Sequence, residues 1–174
     1  MVPGSATVSE CIFRRGTTNT SSSTAENADI YRLLIGTHTA ENMPNYLQIA
    51  EFSLPRLTAE PEDYDAEREE VGSGYNPSKK AVAPKFTIIQ KIDHEGEINK
   101  ARYMPQKQDV IATMGVGGQV HIFDRTKHSS QPTGKVNPQI KLVGHTKEGY
   151  GLDWHPKREG TLITGSEDNT VKIW

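Results

Sequence analysis

The stretch from Gly144 to Trp174 reads GHTKEGYGLDWHPKREGTLITGSEDNTVKIW. Shifting it back by 51 positions, from His145 to His94, aligns it without a gap on an earlier part of the chain. So many matches in the same order indicate a structural repeat, with copies at residues 94–124 and 145–174. The matched pairs are Glu97 with Glu148, Tyr103 with Trp154, Pro105 with Pro156, Thr113 with Thr164, Val120 with Val171, Ile122 with Ile173, and Phe123 with Trp174.

The second copy contains a predicted β-hairpin. Its strand-like runs, residues 161–165 and 170–174, flank a turn in which Asp168 supplies a carboxylate and Asn169 tolerates a left-handed backbone. A Gly-His pair, short strands separated by turns and a closing apolar-x-apolar-Trp segment resemble a WD repeat, one four-stranded blade of a β-propeller. The predicted fold is therefore all-β.

The resemblance to WD repeats also implies a hydrogen-bonded network in the second copy. Its four members are His145, Thr164, Asp168 and Trp174. The first copy departs from the pattern, because Gly117 stands in the place of Asp168 and Phe123 in the place of Trp174. We therefore expect packing to hold the first copy together.

Other strands extend the pattern toward the N-terminus. Residues 30–35 and 46–52 are rich in β-branched and aromatic side chains and read as paired strands, and residues 86–92 alternate as a further strand. The total of about ten strands predicts a partial propeller of roughly two and a half blades, which cannot close into a ring.

Composition divides the chain into two parts. Residues 1–29 contain a polar Ser/Thr-rich tract and are predicted to be a disordered tail, whereas residues 30–174 form the partial propeller. Residues 56–84 are predicted to form an acidic surface loop between strands. Its acidic residues are Glu60, Glu62, Asp63, Asp65, Glu67, Glu69 and Glu70.

Charge and cysteine content limit the classes of function. The net charge is −2 and the pI is about 6.3, so no overall positive field favours nucleic acid or an anionic membrane. The single cysteine, Cys11, indicates a reducing compartment, and no secretory signal is visible.

Three segments carry a narrower resemblance: residues 34–39 (LIGTHT), 91–106 (KIDHEGEINKARYMPQ) and 144–154 (GHTKEGYGLDW). They resemble the histone-binding WD-repeat family, which includes the retinoblastoma-binding proteins and the type B histone acetyltransferase subunit. The resemblance implies a seven-bladed propeller that acts as a histone chaperone and as a non-catalytic subunit of chromatin complexes. It also implies a nuclear location, with the cytoplasm as a second compartment.

The resemblance further implies two histone sites. The histone H4 site of the family lies between an N-terminal helix and a loop of a late blade, and we expect neither element in this chain. The site for the histone H3 tail lies on one face of the propeller. The resemblance places six residues there: His38, Glu97, Asn99, Lys100, Glu148 and Tyr150.

The repeat supports two of these residues independently, because Glu97 and Glu148 occupy the same position of their copies. Carboxylates there suit Arg and Lys side chains. At Lys100 the family usually has Arg, so a forked contact becomes a point charge. Without the resemblance, a carboxylate before a strand is more often a solvated turn residue.

The sequence contains no pattern that predicts catalysis. The six histidines show no metal-ligand spacing, and no Ser-His-Asp, Cys-His or phosphate-loop motif is present. We therefore expect no enzyme activity, no cofactor and no metal. The alternative to a histone-binding protein is a generic WD-repeat adaptor, such as the substrate receptor of a ubiquitin ligase.

Overall fold

The computed structural model describes residues 5–12, 28–39, 43–55, 64–65, 70–71 and 85–174. The first antiparallel sheet has the strand order β1-β2-β3-β6. Its strands are β1 (Ser5–Ile12), β2 (Ala28–His38), β3 (Asn45–Pro55) and β6 (Lys85–His94). Two further strands, β4 (Tyr64–Asp65) and β5 (Glu70–Val71), pair with each other inside the segment predicted as an acidic loop. The rest of that segment lies outside the described residues.

The two repeat copies form the other two sheets. The second sheet has the order β10-β9-β8-β7, and the third has the order β11-β12-β13. A short 3₁₀ helix, Arg125–Lys127, follows β9, and the described residues contain no helix long and apolar enough to cross a membrane. The strands are β7 (Ile98–Met104), β8 (Lys107–Gly115), β9 (Val120–Asp124), β10 (Ile140–Leu142), β11 (Gly151–Trp154), β12 (Leu162–Gly165) and β13 (Val171–Ile173).

The all-β, partial-propeller fold predicted from the sequence is confirmed. The strands predicted at residues 30–35 and 46–52 pair as β2 and β3, with Leu33 opposite Ala50. The predicted hairpin forms as β12 and β13, with Thr164 opposite Lys172. Asn169 has a φ of 63°, so it adopts the left-handed backbone expected of it in the turn.

The prediction of a disordered tail is wrong for residues 5–12. These residues form β1, which pairs antiparallel with β2 so that Ser5 lies opposite His38. The physical reason is that β2 offers a free edge whose N–H and C=O groups need partners. β1 makes the first sheet four-stranded, so the described residues form two four-stranded sheets and one of three strands, besides the short β4–β5 pair. Residues 13–27 lie outside the described residues.

Two apolar cores hold the three sheets together. Side chains alternate across each strand, so every sheet presents an apolar face to its neighbour. The core between the first and second sheets contains Leu34, Leu47, Ile49, Ile92, Ile98, Ala101, Ile111 and Phe123. The core between the second and third sheets contains Met104, Ala112, Met114, Val120, Ile122, Leu152, Trp154 and Leu162.

The outer face of the third sheet is apolar and exposed. Ile163, Val171 and Ile173 are 44%, 69% and 75% exposed on that face. Their counterparts in the first repeat copy, Ala112, Val120 and Ile122, are buried in the second core. This face is therefore built to pack against another sheet, and the described residues do not cover it.

We expect the 174-residue chain to self-associate at micromolar concentration, because exposed apolar faces and open strand edges favour association. Ile173→Lys places a charge on the exposed face and should shift the population toward monomer. Gln131→Lys adds the same charge on an exposed loop and serves as the control. Sedimentation velocity measures the distribution, and a monodisperse monomer for the unaltered chain would contradict this prediction.

Candidate functional site

The structure brings the four predicted network residues of the second repeat together. His145 is buried, and its Nε2 lies 2.8 Å from Thr164 Oγ1 while its Nδ1 lies 3.0 Å from Asp168 Oδ2. The Trp174 indole N–H donates to Thr164 Oγ1 over 2.9 Å. One arrangement of protons satisfies every contact: Nδ1–H donates to the carboxylate, and the Thr164 hydroxyl donates to Nε2. The network ties the start of the repeat to two strands of its sheet.

The Asp168 carboxylate also organises the turn between β12 and β13. Its Oδ1 accepts hydrogen bonds from the Thr170 hydroxyl at 2.6 Å and the Thr170 N–H at 2.9 Å, and its Oδ2 accepts one from Thr146 N–H at 3.0 Å. The hydrogen bond from the Thr170 hydroxyl, joined by those from Thr146 and His145, holds the pKa of Asp168 well below its usual range. The carboxylate is therefore ionised at neutral pH.

The first repeat keeps the histidine but replaces its acidic partner. His94 Nε2 lies 2.8 Å from Thr113 Oγ1, as in the second repeat, whereas Nδ1 donates to the backbone carbonyl of Gly96 over 3.0 Å. Phe123 is fully buried beside the ring, with its centroid 5.8 Å from that of His94. The expectation that packing alone holds this repeat together therefore needs correction, because the backbone supplies the acceptor that Gly117 cannot.

Burial shapes the titration of the first histidine. It lowers the pKa of His94 to about 4, and the nearby His121 lowers it further. His121 Nδ1 lies 3.4 Å from His94 Nε2, so the two rings are in direct contact. Both are best accommodated as neutral imidazoles at physiological pH.

Close backbone contacts fix the two glutamates that follow the histidines. A Cβ on Gly115 would lie 2.3 Å from the carbonyl oxygen of Glu97, so only glycine fits there. The carbonyl oxygen of Glu148 accepts hydrogen bonds from Glu167 N–H at 2.9 Å and Ser166 Oγ at 2.8 Å. Both glutamates therefore stand on rigid segments that lead into the first strand of a sheet, β7 and β11.

Five of the six residues proposed for peptide recognition are connected by direct contacts. His38 Nδ1, at the end of β2, lies 2.8 Å from Glu97 Oε2. Asn99 Nδ2 donates to Glu148 Oε2 over 3.0 Å, and the Tyr150 hydroxyl donates to the same oxygen over 3.3 Å. Two clusters result, one from the first and second sheets and one from the second and third.

Lys100, the sixth residue, lies in β7 opposite Met114 and is half-buried. It places a positive charge next to Asn99 in the sequence, between the two carboxylates in chain order. No contact distance connects its ammonium group to the other five residues.

Negative charge dominates the surface around Tyr150. The Glu148 carboxylate raises the pKa of the Tyr150 hydroxyl, and the charges of Glu167 and Glu97 act in the same direction. Tyr150 is 57% exposed, so a protonated phenol stands in solvent beside three carboxylates. Sequence reasoning did not identify Glu167; only the hydrogen bond from its N–H to the Glu148 carbonyl reveals its position.

Asn99 has one polar atom without a partner. Its side chain is buried, and within the described residues no donor reaches its Oδ1. A buried acceptor without a hydrogen bond is unusual, because its desolvation is not compensated. Asn99 Oδ1 is therefore available to a donor from a bound molecule.

Comparison with known proteins identifies close relatives. Residues 11–56 match a family model whose description covers the histone-binding protein RBBP4 and the corresponding component of the CAF1 complex. The chain is 56% identical over 149 residues to histone acetyltransferase type B subunit 2 of Neurospora crassa, covering 83% of this chain and 33% of that protein. The identity to the Aspergillus fumigatus protein of the same name is 59% over 146 residues, covering 83% of this chain and 34% of that protein.

The chain thus spans about one third of the length of these curated relatives. Among solved structures, it matches a chain of "Apo ctPRC2 in an autoinhibited state" with a TM-score of 0.50 and 17% identity, over 98% of this chain and 28% of that one. It matches the WD40 domain of Toxoplasma gondii coronin with a TM-score of 0.50 and 20% identity, over 81% of this chain and 29% of that one. At these identities the two structures support the fold alone.

We expect Asp168→Asn to destabilise the chain more than Glu167→Gln. Asn keeps the size of the side chain but loses the charge that its hydrogen-bond donors favour, whereas Glu167 has an exposed side chain on the same turn. Thermal unfolding followed by circular dichroism should show Tm lower by several degrees for Asp168→Asn and little changed for Glu167→Gln. Equal Tm values would show that the network does not stabilise the turn.

Stability should also fall in acid because of His94. Its pKa in the folded chain lies below the ordinary value of 6.5, so protonation favours the unfolded chain, and stability is lost as pH falls from 6.5 toward about 4. The shift corresponds to about 3 kcal/mol. Urea unfolding across this pH range measures the effect. His94→Gln should flatten the pH dependence, and the exposed control His155→Gln should keep it; an unchanged slope in His94→Gln would rule out this origin.

Proposed function

We propose a histone-binding role for this chain, which belongs to the histone-binding WD-repeat family. In this proposal it is part of a non-catalytic subunit that presents histones to chromatin-modifying or chromatin-assembly complexes. Support comes from relatives named histone acetyltransferase type B subunit 2 and from a family described as histone-binding. The same relatives support a nuclear location, and the proposal keeps the cytoplasm as a second compartment.

The acidic surface around Glu97 and Glu148 is the observation that favours a basic peptide as the ligand. Each carboxylate stands at the same position of its sheet, and Glu167 adds a third negative charge near Tyr150. The N-terminal tail of histone H3 is rich in Lys and Arg, whose cations form charge-assisted hydrogen bonds with carboxylates. Such a tail would extend across the second and third sheets and place basic side chains at both glutamates.

The other residues complement this arrangement. Tyr150 keeps its proton at neutral pH, so its exposed ring offers a flat surface to an extended peptide and its hydroxyl remains a donor. Asn99 Oδ1 is suited to accept a backbone or guanidinium N–H of the tail. Lys100 would donate to a peptide carbonyl, as a point charge rather than a fork.

His38 gives the site a competitor for the ligand. Its contact with Glu97 Oε2, at 2.8 Å, occupies an oxygen that a basic side chain would use. A tail cation would bind the other oxygen or displace the imidazole. The cluster at Glu148 offers an acceptor held by Asn99 and Tyr150 and needs no such exchange.

Charge-neutralising changes should weaken binding of an unmodified H3 tail peptide. Glu148→Gln keeps the size and one carbonyl acceptor, so we expect a loss of about 1–2 kcal/mol, roughly a five- to thirty-fold weaker Kd. Affinity should fall as salt is added, and the fall should be shallower in Glu97→Gln/Glu148→Gln. Isothermal titration calorimetry measures both quantities.

Glu159→Gln is the matched control, because Glu159 is an exposed carboxylate paired with Lys107 away from the site. It should bind the tail as the unaltered chain does. If the Glu97→Gln/Glu148→Gln variant keeps the affinity and the salt dependence of the unaltered chain, both residues are solvated turn carboxylates and the site assignment is wrong.

A further inference from the structure

A groove separate from the acidic surface lies along β6, under the segment that joins β9 to β10. Three contacts hold this segment against the strand. The Gln90 amide donates to the carbonyls of Arg125 at 2.9 Å, His128 at 3.0 Å and Ser129 at 3.2 Å. Lys91 N–H donates to Ser130 O over 3.0 Å. The third contact is made by the Asp93 carboxylate, which accepts hydrogen bonds from Thr133 N–H at 2.8 Å and Gly134 N–H at 2.9 Å. The groove is thus preformed.

The lining of the groove is cationic although the chain as a whole is acidic. A cavity of about 440 Å³ is lined by three lysines, Lys91, Lys127 and Lys135, and by a single carboxylate, Asp93. That carboxylate is buried and committed to the backbone N–H groups of the segment. Lys127 Nζ lies 3.7 Å from Asp124 Oδ2, outside normal hydrogen-bond length, so it is only partly neutralised. The lining therefore carries net positive charge in a chain of net charge −2.

We propose that this groove binds an acidic peptide segment of a partner protein. Carboxylates of the peptide would pair with Lys91 and Lys135, and an aliphatic side chain between them would cover Val136, which is 40% exposed at the lining. Amides and hydroxyls of Ser129, Gln131 and Asn137 provide hydrogen bonds for the peptide backbone. The volume suits a few residues rather than a folded domain.

The lining favours a peptide over nucleic acid. Single-stranded nucleic acids need aromatic platforms for base stacking, and His128 is the one aromatic ring among the lining residues. Duplex DNA needs cations spread along a surface, whereas these lysines surround one small cavity. An acidic segment with an apolar residue matches both the charge and Val136.

This site does not depend on the proposed histone-tail site. Glu97, Glu148 and Tyr150 precede or begin the first strands of the second and third sheets, whereas the groove follows β6, the edge strand of the first sheet. A protein with both sites could hold a basic tail and an acidic partner at once, without competition between them.

The test uses fluorescence anisotropy with a short labelled peptide of glutamate and leucine, titrated with the full chain. Lys91→Gln and Lys135→Gln should each weaken binding about two- to five-fold, as expected for partly exposed ion pairs. Lys107→Gln, which removes a lysine paired with Glu159, is the charge-matched control and should bind as the unaltered chain does. Lys135→Glu lies on an exposed loop, so the fold should tolerate it, and it should weaken binding most.

Three results would overturn the proposal: no binding of the acidic peptide, equal binding by the groove variants and the control, or tighter binding of a short DNA duplex with the same sensitivity to Lys91 and Lys135. Titration of the H3 tail peptide separates this proposal from the histone-binding one. Lys135→Glu should leave that affinity unchanged, whereas Glu148→Gln should weaken it and leave the acidic peptide unaffected.

Discussion

The hydrogen bond between a buried histidine and a strand threonine is the constraint on which the repeats depend. His94 and Thr113 form it in the second sheet, and His145 and Thr164 form it in the third, each at 2.8 Å. A ring fixed in this way sets the path of the next residues, so the glutamate three positions later stands at the same place on each sheet. Structure and proposed recognition are therefore coupled, because loss of the network would move the carboxylate that binds the ligand.

The repeat made most of the fold predictable. A 51-residue offset relates the two histidines, and strand pairing follows from alternation and turn residues that are local in sequence. β1 was not predictable, because its pairing with β2 is non-local and its own sequence carries little hydrophobic signal. Within the site, the equivalence of Glu97 and Glu148 was visible in the alignment, whereas the contribution of Glu167 and the unpaired oxygen of Asn99 arise only from side-chain positions in three dimensions.

The two copies meet the same structural need by different chemistry. In the third sheet an ionised carboxylate, Asp168, accepts from the histidine, while in the second sheet the backbone of Gly96 does so and Phe123 fills the space. Charge is divided in a similar way over the surface. Carboxylates gather where the sheets begin, and lysines gather along β6 under the β9–β10 segment. A scaffold that joins a basic tail to an acidic partner needs this separation, since mixed charges would neutralise both sites.

The most direct test of the central claim is a double-mutant cycle between Glu148 and the basic residues of the H3 tail. Calorimetry would compare unaltered chain and Glu148→Gln, each with the natural tail peptide and with peptides in which single Arg or Lys residues are neutralised. The account predicts one peptide residue whose coupling energy with Glu148 is about 1–2 kcal/mol, the value of a charge-assisted hydrogen bond. Additive effects at every tail position would contradict a direct contact between Glu148 and a basic side chain.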